Sequence, residues 1–431
     1  MSKLHRDGVL SARERISRLL DNHTFVEIGA LVGENDSVIT GYGSVLGRLV
    51  FVYAQDSSVS DGFIDERQAK KICSLYDKAM KMGATVVGFL DSKGFKDDRG
   101  FSGLGDVFST MIKASGVIPQ VTAIMGECTG ASSIIPTLSD FIFTVKDNYK
   151  FFLVEPSSDP KENGKKGDTS SKPDNSITHF VCDTEASCIS DMIRLIDIIP
   201  SNNMEDAPFF GTGDDSSRED EFLNSIVSEN LDNLDMERII KSIGDNGDFI
   251  EVQKDFSPEV KEGFIRISGY TVGVIANNSC KLTHHSTGKA LRFLSFCDSF
   301  NIPVVTLTDV CGFKGGVGQT VLIKSVTKLL AGFNNATCPK INVIVRNGFG
   351  TPSLVMNSKA TGADIVVAWE GANVSSSENY SDCGVSDAVL KGFVDDVIKP
   401  SKTRGYLANV LEMLSTKRDT APSKKHSSLS L

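Results

Sequence analysis

The sequence predicts an α/β protein made of two domains of one fold, related by duplication. Three observations carry this reading. Strand-like runs that end in glycine turns alternate with helix-like runs along the chain. The order of those runs in the first half recurs in the second. The 431 residues, 40% apolar and 23% charged, suffice for two cores, each of about 200 residues.

Residues 39–55, ITGYGSVLGRLVFVYAQ, read as two strands around a turn at Gly47, and residues 264–278, FIRISGYTVGVIANN, repeat that pattern around Gly269. Each pair leads into an amphipathic helical run, QAKKICSLYDKAMKMG and GKALRFLSFCDSFN. A buried strand follows, within ATVVGFLDSKGF and IPVVTLTDVCGF. Pro119–Gly130 (PQVTAIMGECTG) and Pro339–Gly350 (PKINVIVRNGFG) then give proline, strand and glycine turn at the same eleven-residue step. A helix-like stretch and another strand come after each, at Asp140 (DFIFTV) and Asp364 (DIVVAW).

Residues 155–176 are rich in Pro, Ser, Gly and charge, as a loop is. Residues 201–236 hold ten acidic residues against one basic one, Arg218, with a helical signal in DNLDMERIIKSI. The domain boundary is placed near residue 215, giving domains 1–215 and 216–431. The tail after Thr416 reads as a poorly ordered terminus.

Several classes are excluded on composition. No apolar run approaches the ~18–20 residues of a membrane helix, so no membrane span is expected. The charged N-terminus has no apolar core of a secretory signal. Net charge is −10 with no basic stripe, which argues against nucleic acid as a partner. Nine scattered cysteines without a CxxC pair read as reduced thiols of a cytoplasmic protein. The six histidines form no HExxH, and His284–His285 sit in a polar stretch, so no metal site is expected.

No nucleophile with its base is visible, and there is no G-x-S-x-G elbow. The candidate chemistry lies in the glycine turns. A turn that opens a helix presents unpaired backbone N–H groups and the positive end of the dipole. Two such donors stabilise an enolate or another oxyanion. Gly130–Ala131 fits that description; alternatively Gly130 only permits a tight turn. The matching turn reads Gly350-Thr351-Pro352, and Pro352 has no N–H, so one of two donors is expected to be missing there. The alternative is plain helix initiation by proline. Lys314–Thr320, KGGVGQT, is close to a phosphate loop, but Gln319 stands where the phosphate-reaching lysine belongs.

Longer segments carry a resemblance. KLHRDGVLSARERISRLLDNHTFVEIGAL, GYGSVLGRLVFVYAQD, KKICSLYDKAMKMGA, ASGVIPQVTAIMGECTGAS, RFLSFCDSFNIPVVTLTDVCGF, VIVRNGFGTPSLVMNSKATGADIVVAW and GFVDDVIKPSKTRGYLANVLEMLSTKR resemble, in order, the carboxyltransferase (β-type) subunits of biotin-dependent acyl-CoA carboxylases, the propionyl-CoA carboxylase β-type. The resemblance implies two crotonase-like (ClpP/crotonase) βα spiral domains, acyl-CoA mainly on the first and carboxybiotin on the second. It implies transfer of a carboxyl group between carboxybiotin and a short-chain acyl-CoA, of the propionyl- or acetyl-CoA class. The intermediate is a thioester enolate held by backbone N–H pairs. Biotin would arrive on a separate carrier protein, so the implied partners are a biotin carboxylase and a biotin carboxyl carrier protein. Homo- or hetero-oligomers from dimer to hexamer are implied as well.

Carried over by position, Gly130 and Ala131 match the first-half oxyanion glycines, the second being alanine here. Gly350 and Thr351 stand in the second-half hole, with Gly312 and Phe313 on the biotin side. Lys93, Gly94, Lys96 and Leu354 fall at substrate-binding positions. The chain departs from the pattern at several of these. DSGGAR is DSKGFK here (Asp91 to Lys96), and a Gly-Gly-Ala-Tyr-Asp hole is Gly350-Thr351-Pro352-Ser353-Leu354. A GPDVV-like stretch is replaced by the polar run from Glu155, and a helical region after DIVVAW is shortened to EGANVSSSENYSDCGVSDAV. These changes cluster at pocket positions. Two readings follow: a divergent working acyl-CoA carboxyltransferase or related biotin-dependent decarboxylase subunit, and a non-catalytic paralogue that serves such a complex as a structural or regulatory subunit.

Overall fold

The computed structural model describes residues 9–31, 36–95, 98–146, 148–154, 176–228, 234–315, 318–376, 384–420 and 422. The chain divides into two units, Met1–Glu205 and Asp206–Leu431, so the division falls ahead of residue 215. Most of the polar 155–176 segment and of the tail lies outside the described residues.

In unit 1, helix α1 (Ala12–Leu19) starts at a Ser11/Glu14 capping box. A short strand β1 (Val26–Glu27) edges the hairpin β2 (Val38–Val45) and β3 (Arg48–Gln55). Val45 pairs with Arg48 across Leu46 and Gly47, whose φ values of 51° and 77° define a two-residue type I′ turn. Helix α2 (Glu66–Met82) opens at an Asp65/Gln68 capping box and stops at Gly83 in the left-handed region. Then follow β4 (Thr85–Ser92), α3 (Asp98–Ala114), β5 (Gln120–Thr129), the short helix α4 (Ile134–Thr137), β6 (Phe141–Val145), β7 (Lys150–Phe152), β8 (Phe180–Cys182) and α5 (Glu185–Ile198). The sheet order is β1-β2-β3-β4-β5-β6-β8, parallel from β3 onward, with β7 paired to β5 off that path.

Unit 2 begins with α6 (Phe222–Ser228) and α7 (Met236–Ile243), the latter inside the helical signal of the acidic segment. After them run β9 (Ile250–Val252), β10 (Val260–Ile267), β11 (Tyr270–Asn277), β12 (Lys281–Leu282), α8 (His284–Ser299), β13 (Val304–Val310), β14 (Gly312–Phe313), α9 (Gln319–Asn335) and β15 (Lys340–Phe349). The chain closes with α10 (Gly350–Val355), β16 (Ile365–Trp369), β17 (Asn373–Ser375), α11 (Val385–Leu390), β18 (Asp396–Ile398) and α12 (Thr403–Leu414). Its sheet order, β9-β10-β11-β13-β15-β16-β18 with β17 on β15, repeats that of unit 1 strand for strand. Even the hairpin turn recurs, with Ser268 and Gly269 at φ 52° and 83°.

The core of unit 1 gathers Val86, Leu90 and Ile124 of the sheet with Ile72, Leu75, Val107 and Met111 of the helices. In unit 2, Val274, Leu307, Val343 and Trp369 of the sheet pack with Ile239, Ile240 and Leu407. Burying such side chains is worth about 1.5–3 kcal/mol each, which holds the parallel strands in layer. Among the described residues no helix is long and apolar enough to cross a membrane.

Candidate functional site

In both units the fifth strand of the sheet path changes partner midway. β5 pairs with β6 along Val121–Ile124 and with β7 along Glu127–Thr129. β15 does the same with β16 along Ile341–Ile344 and with β17 along Asn347–Phe349. Each strand then ends in a glycine at positive φ, Gly130 at 60° and Gly350 at 52°. At Gly130 no atom lies within 4 Å of where a Cβ would stand. Glycine is therefore required by the left-handed backbone and not by crowding.

The chain after Gly130 turns at once into a 3-10 segment, Gly130–Ser133, continued by α4. The Ser133 hydroxyl donates to the Gly130 carbonyl at 2.8 Å, and the Cys128 thiol donates to the Ser132 carbonyl at 3.4 Å. Gly130 and Ala131 are thus the first two residues of the segment, where backbone N–H groups lack partners within the helix. The Lys93–Gly94 segment lies alongside. The Thr129 hydroxyl donates to the Lys93 carbonyl at 3.4 Å, and Gly94, at φ 120°, places its Cβ direction 3.6 Å from the Thr129 carbonyl. The structure thus brings Gly130, Ala131, Lys93 and Gly94 together. Lys96 lies outside the described residues. The Lys93 ammonium pairs with Asp61, 3.1 Å away, whose hydrogen bond and charge raise its pKa.

In unit 2, Gly350 is the first residue of α10, Thr351 the second and Pro352 the third. Gly350 and Thr351 correspond to Gly130 and Ala131, and both have an N–H. Pro352 is buried one position further on, and its carbonyl accepts from the Met356 N–H at 3.1 Å. Gly312 and Phe313 form β14, parallel to β12 with Leu282 opposite Phe313, and α10 packs against β14. A cavity of about 530 Å³ opens beside Gly350, Thr351 and Leu354. Ile344, Val366 and Val374 form its apolar side, and Lys359 and Lys391 stand at it already paired with Asp395 and Asp387. Gly312 and Phe313 do not line it.

Sequence reasoning missed the polar residues behind the turns. Asp91 and Asp309 begin two matching runs, Asp-Ser-Lys-Gly-Phe-Lys and Asp-Val-Cys-Gly-Phe-Lys, at the ends of β4 and β13. The Asp91 carboxylate accepts from the Glu127 N–H and the Ser57 hydroxyl, and Arg15 approaches it. Asp309 accepts from the Asn347 N–H and from Arg346. The repeated Asp-x-x-Gly-Phe-Lys was the available signal. The KGGVGQT loop lies partly outside the described residues, and α9 begins at its Gln319. Among the described residues, no group of three His, Cys, Asp or Glu is placed to hold a metal ion.

Comparison with known proteins bears on this geometry. Residues 3–378 match the carboxyl transferase domain family. The methylmalonyl-CoA decarboxylase subunit alpha of Veillonella parvula is 36% identical over 487 aligned positions, covering 100% of this chain and 95% of that protein. The mitochondrial propionyl-CoA carboxylase beta chain of Sus scrofa is 34% identical, covering 99% and 89%. The alignments run longer than the 431 residues here, so the relatives carry segments this chain lacks. A crystal structure of transcarboxylase 12S, described as a hexamer with hydrolysed methylmalonyl-coenzyme A bound, superposes with a TM-score of 0.92 at 32% identity, covering 98% of this chain and 93% of that one. The two spiral α/β units are accordingly crotonase-like, twice over.

Proposed function

This chain belongs to the carboxyl transferase domain family, and from that premise we propose that it moves a carboxyl group between carboxybiotin and a short-chain acyl-CoA. The observation that carries the proposal is the duplicated glycine turn, a glycine at positive φ that opens a short helix at matching positions of the two units. The relatives named for methylmalonyl-CoA and propionyl-CoA support the short-chain class.

In unit 1, the Gly130 and Ala131 N–H groups would hold the thioester oxygen as its α-carbon loses a proton or carboxylate and the oxygen gains charge. Such donors, fixed before reaction, stabilise the enolate more than the neutral thioester, and so lower the barrier. Gly94 closes the same side of the turn with backbone alone, leaving space for the acyl group. In unit 2, Gly350 and Thr351 would take the ureido oxygen of biotin, and the adjoining apolar cavity fits a small bicyclic ring. When bound, carboxybiotin supplies the transferable carboxyl group and a nitrogen able to take the proton. The chain's part is to orient both partners and to hold negative charge on two oxygens.

By the same reading the chain works in the cytoplasm as an oligomer, up to a hexamer, with a biotin carboxylase and a carrier protein. The non-catalytic alternative rested on damage at the pocket. Two observations weigh against it: the Lys93 ammonium pairs with Asp61, and Gly350 and Thr351 each retain an N–H.

The test is carboxyl transfer from methylmalonyl-CoA to free biotin by the purified chain. Ala131→Pro and Thr351→Pro each delete one donor at a helix position that tolerates proline, and each is expected to lower kcat by about 10²–10³. Wild-type protein that transfers no carboxyl group, with carrier and carboxylase supplied, would refute the proposal.

A further inference from the structure

The strand that leads to each glycine turn slips register just before it. Leu90 of β4 pairs with Ile124 of β5, but Ser92 pairs with Cys128, so two steps on one strand answer four on the other. In unit 2, Thr308 pairs with Ile344 and Val310 with Gly348, the same offset. Asp91 and Asp309 are the residues inside these irregularities. Each takes a backbone N–H of the bowed segment, Glu127 N–H to Asp91 Oδ1 at 3.2 Å and Asn347 N–H to Asp309 Oδ1 at 3.2 Å. That N–H lies three residues before Gly130 in one unit and three before Gly350 in the other.

Both carboxylates are largely buried, and each is neutralised by its own device. Arg15 is 2% exposed; its Nε and Nη2 donate to the two oxygens of Glu185 at 2.8 Å, and its Nη1 reaches Asp91 at 3.4 Å. Burial opposes the charge on Arg15, yet the hydrogen bonds and charges of Glu185 and Asp91 outweigh it and raise its pKa. The Ser57 hydroxyl donates to Asp91 at 2.9 Å. In unit 2 the cation comes from the bowed segment itself, as Arg346 donates to Asp309 at 2.7 Å and Asn347 Nδ2 donates at 2.8 Å. Gly126 occupies the place of Arg346 in unit 1, where a Cβ would stand 2.1 Å from Asp91 Oδ1.

We propose that Asp91 and Asp309 are positioning residues, each fixing through a backbone N–H the segment that carries its unit's donor pair. This rests on the reading that the two turns hold oxyanions. Neither carboxylate needs to touch a substrate. A buried charge-assisted bond at the bulge fixes where the strand ends, and thereby where Gly130–Ala131 and Gly350–Thr351 aim. A misplacement of 1 Å in such donors costs about 10²-fold in rate. Arg15 retains both bonds to Glu185 when Asp91 is neutralised, so Asp91→Asn keeps the buried cation paired.

The test takes the full chain with Asp91→Asn and Asp309→Asn, and Asp36→Asn as a control that loses the half-buried Lys71 pair away from both turns. The expected result is a fall in kcat of about 10- to 100-fold for the first two, with KM for methylmalonyl-CoA unchanged. Amide exchange should quicken in residues 126–133 only for Asp91→Asn, and in residues 346–353 only for Asp309→Asn. Asp36→Asn should lower the melting temperature without either effect. Full kcat and unchanged exchange in the two variants would overturn the proposal and leave the carboxyl-transfer reading standing. A kcat loss equalled by Asp36→Asn would also overturn it. If the wild type transfers no carboxyl group, that reading fails by itself, and the exchange decides: local quickening upholds positioning and its absence overturns it.

Discussion

Glu262 shows how far a single residue can lie from its ordinary chemistry. It sits in β10, fully buried, with Oε2 unpartnered. Burial raises its pKa to about 8, against the opposing charges of Lys289 and Arg292. The acid is therefore protonated in the folded chain at neutral pH, while its unfolded counterpart titrates near 4.5. Between those values the native state binds the extra proton, so its contribution to stability is full below the unfolded pKa. That contribution is lost as pH rises through the folded value. Glu262→Gln is expected to remove this slope, a difference on the order of a few kcal/mol. Urea melts from pH 5 to 9 check it: the wild type should lose stability relative to the variant as pH rises. Parallel curves would mean that the folded carboxyl is already ionised.

At the scale of elements, end signals decide where helices sit. Asp65 accepts from the N–H groups of Arg67 and Gln68, and the Gln68 side chain returns the bond to the Asp65 N–H. At the other end the Gly83 carbonyl takes the Asn202 amide at 2.8 Å. Asp65→Ala is expected to cost about 1 kcal/mol of stability, read as a lowered melting temperature with the fold retained. These elements were legible because period, cap and turn chemistry are local: the Gly47 and Gly269 hairpins and the strands after Pro119 and Pro339 lie where the sequence places them. The register slip at Asp91 and Asp309 was not. It depends on how two distant strands count residues against each other, which no local pattern records.

At the scale of the whole molecule, the proposed carboxyl transfer goes with an oligomer of up to six copies. Light scattering on the purified chain is expected to give six copies per particle; a monomer at micromolar concentration would refute that expectation. The sequence by itself determined the duplication, the α/β class and the two glycine turns, because strand period, helix caps and positive-φ glycines are written in short runs. It also carried the family, in motifs spread along nearly the full chain. Tertiary structure alone decided that Lys93 pairs with Asp61, and that a cavity opens beside Gly350 and Thr351. It alone showed that a buried aspartate stands behind each turn. Those outcomes depend on side-chain direction and strand register, which are set when separate segments pack and a buried charge must find its partner.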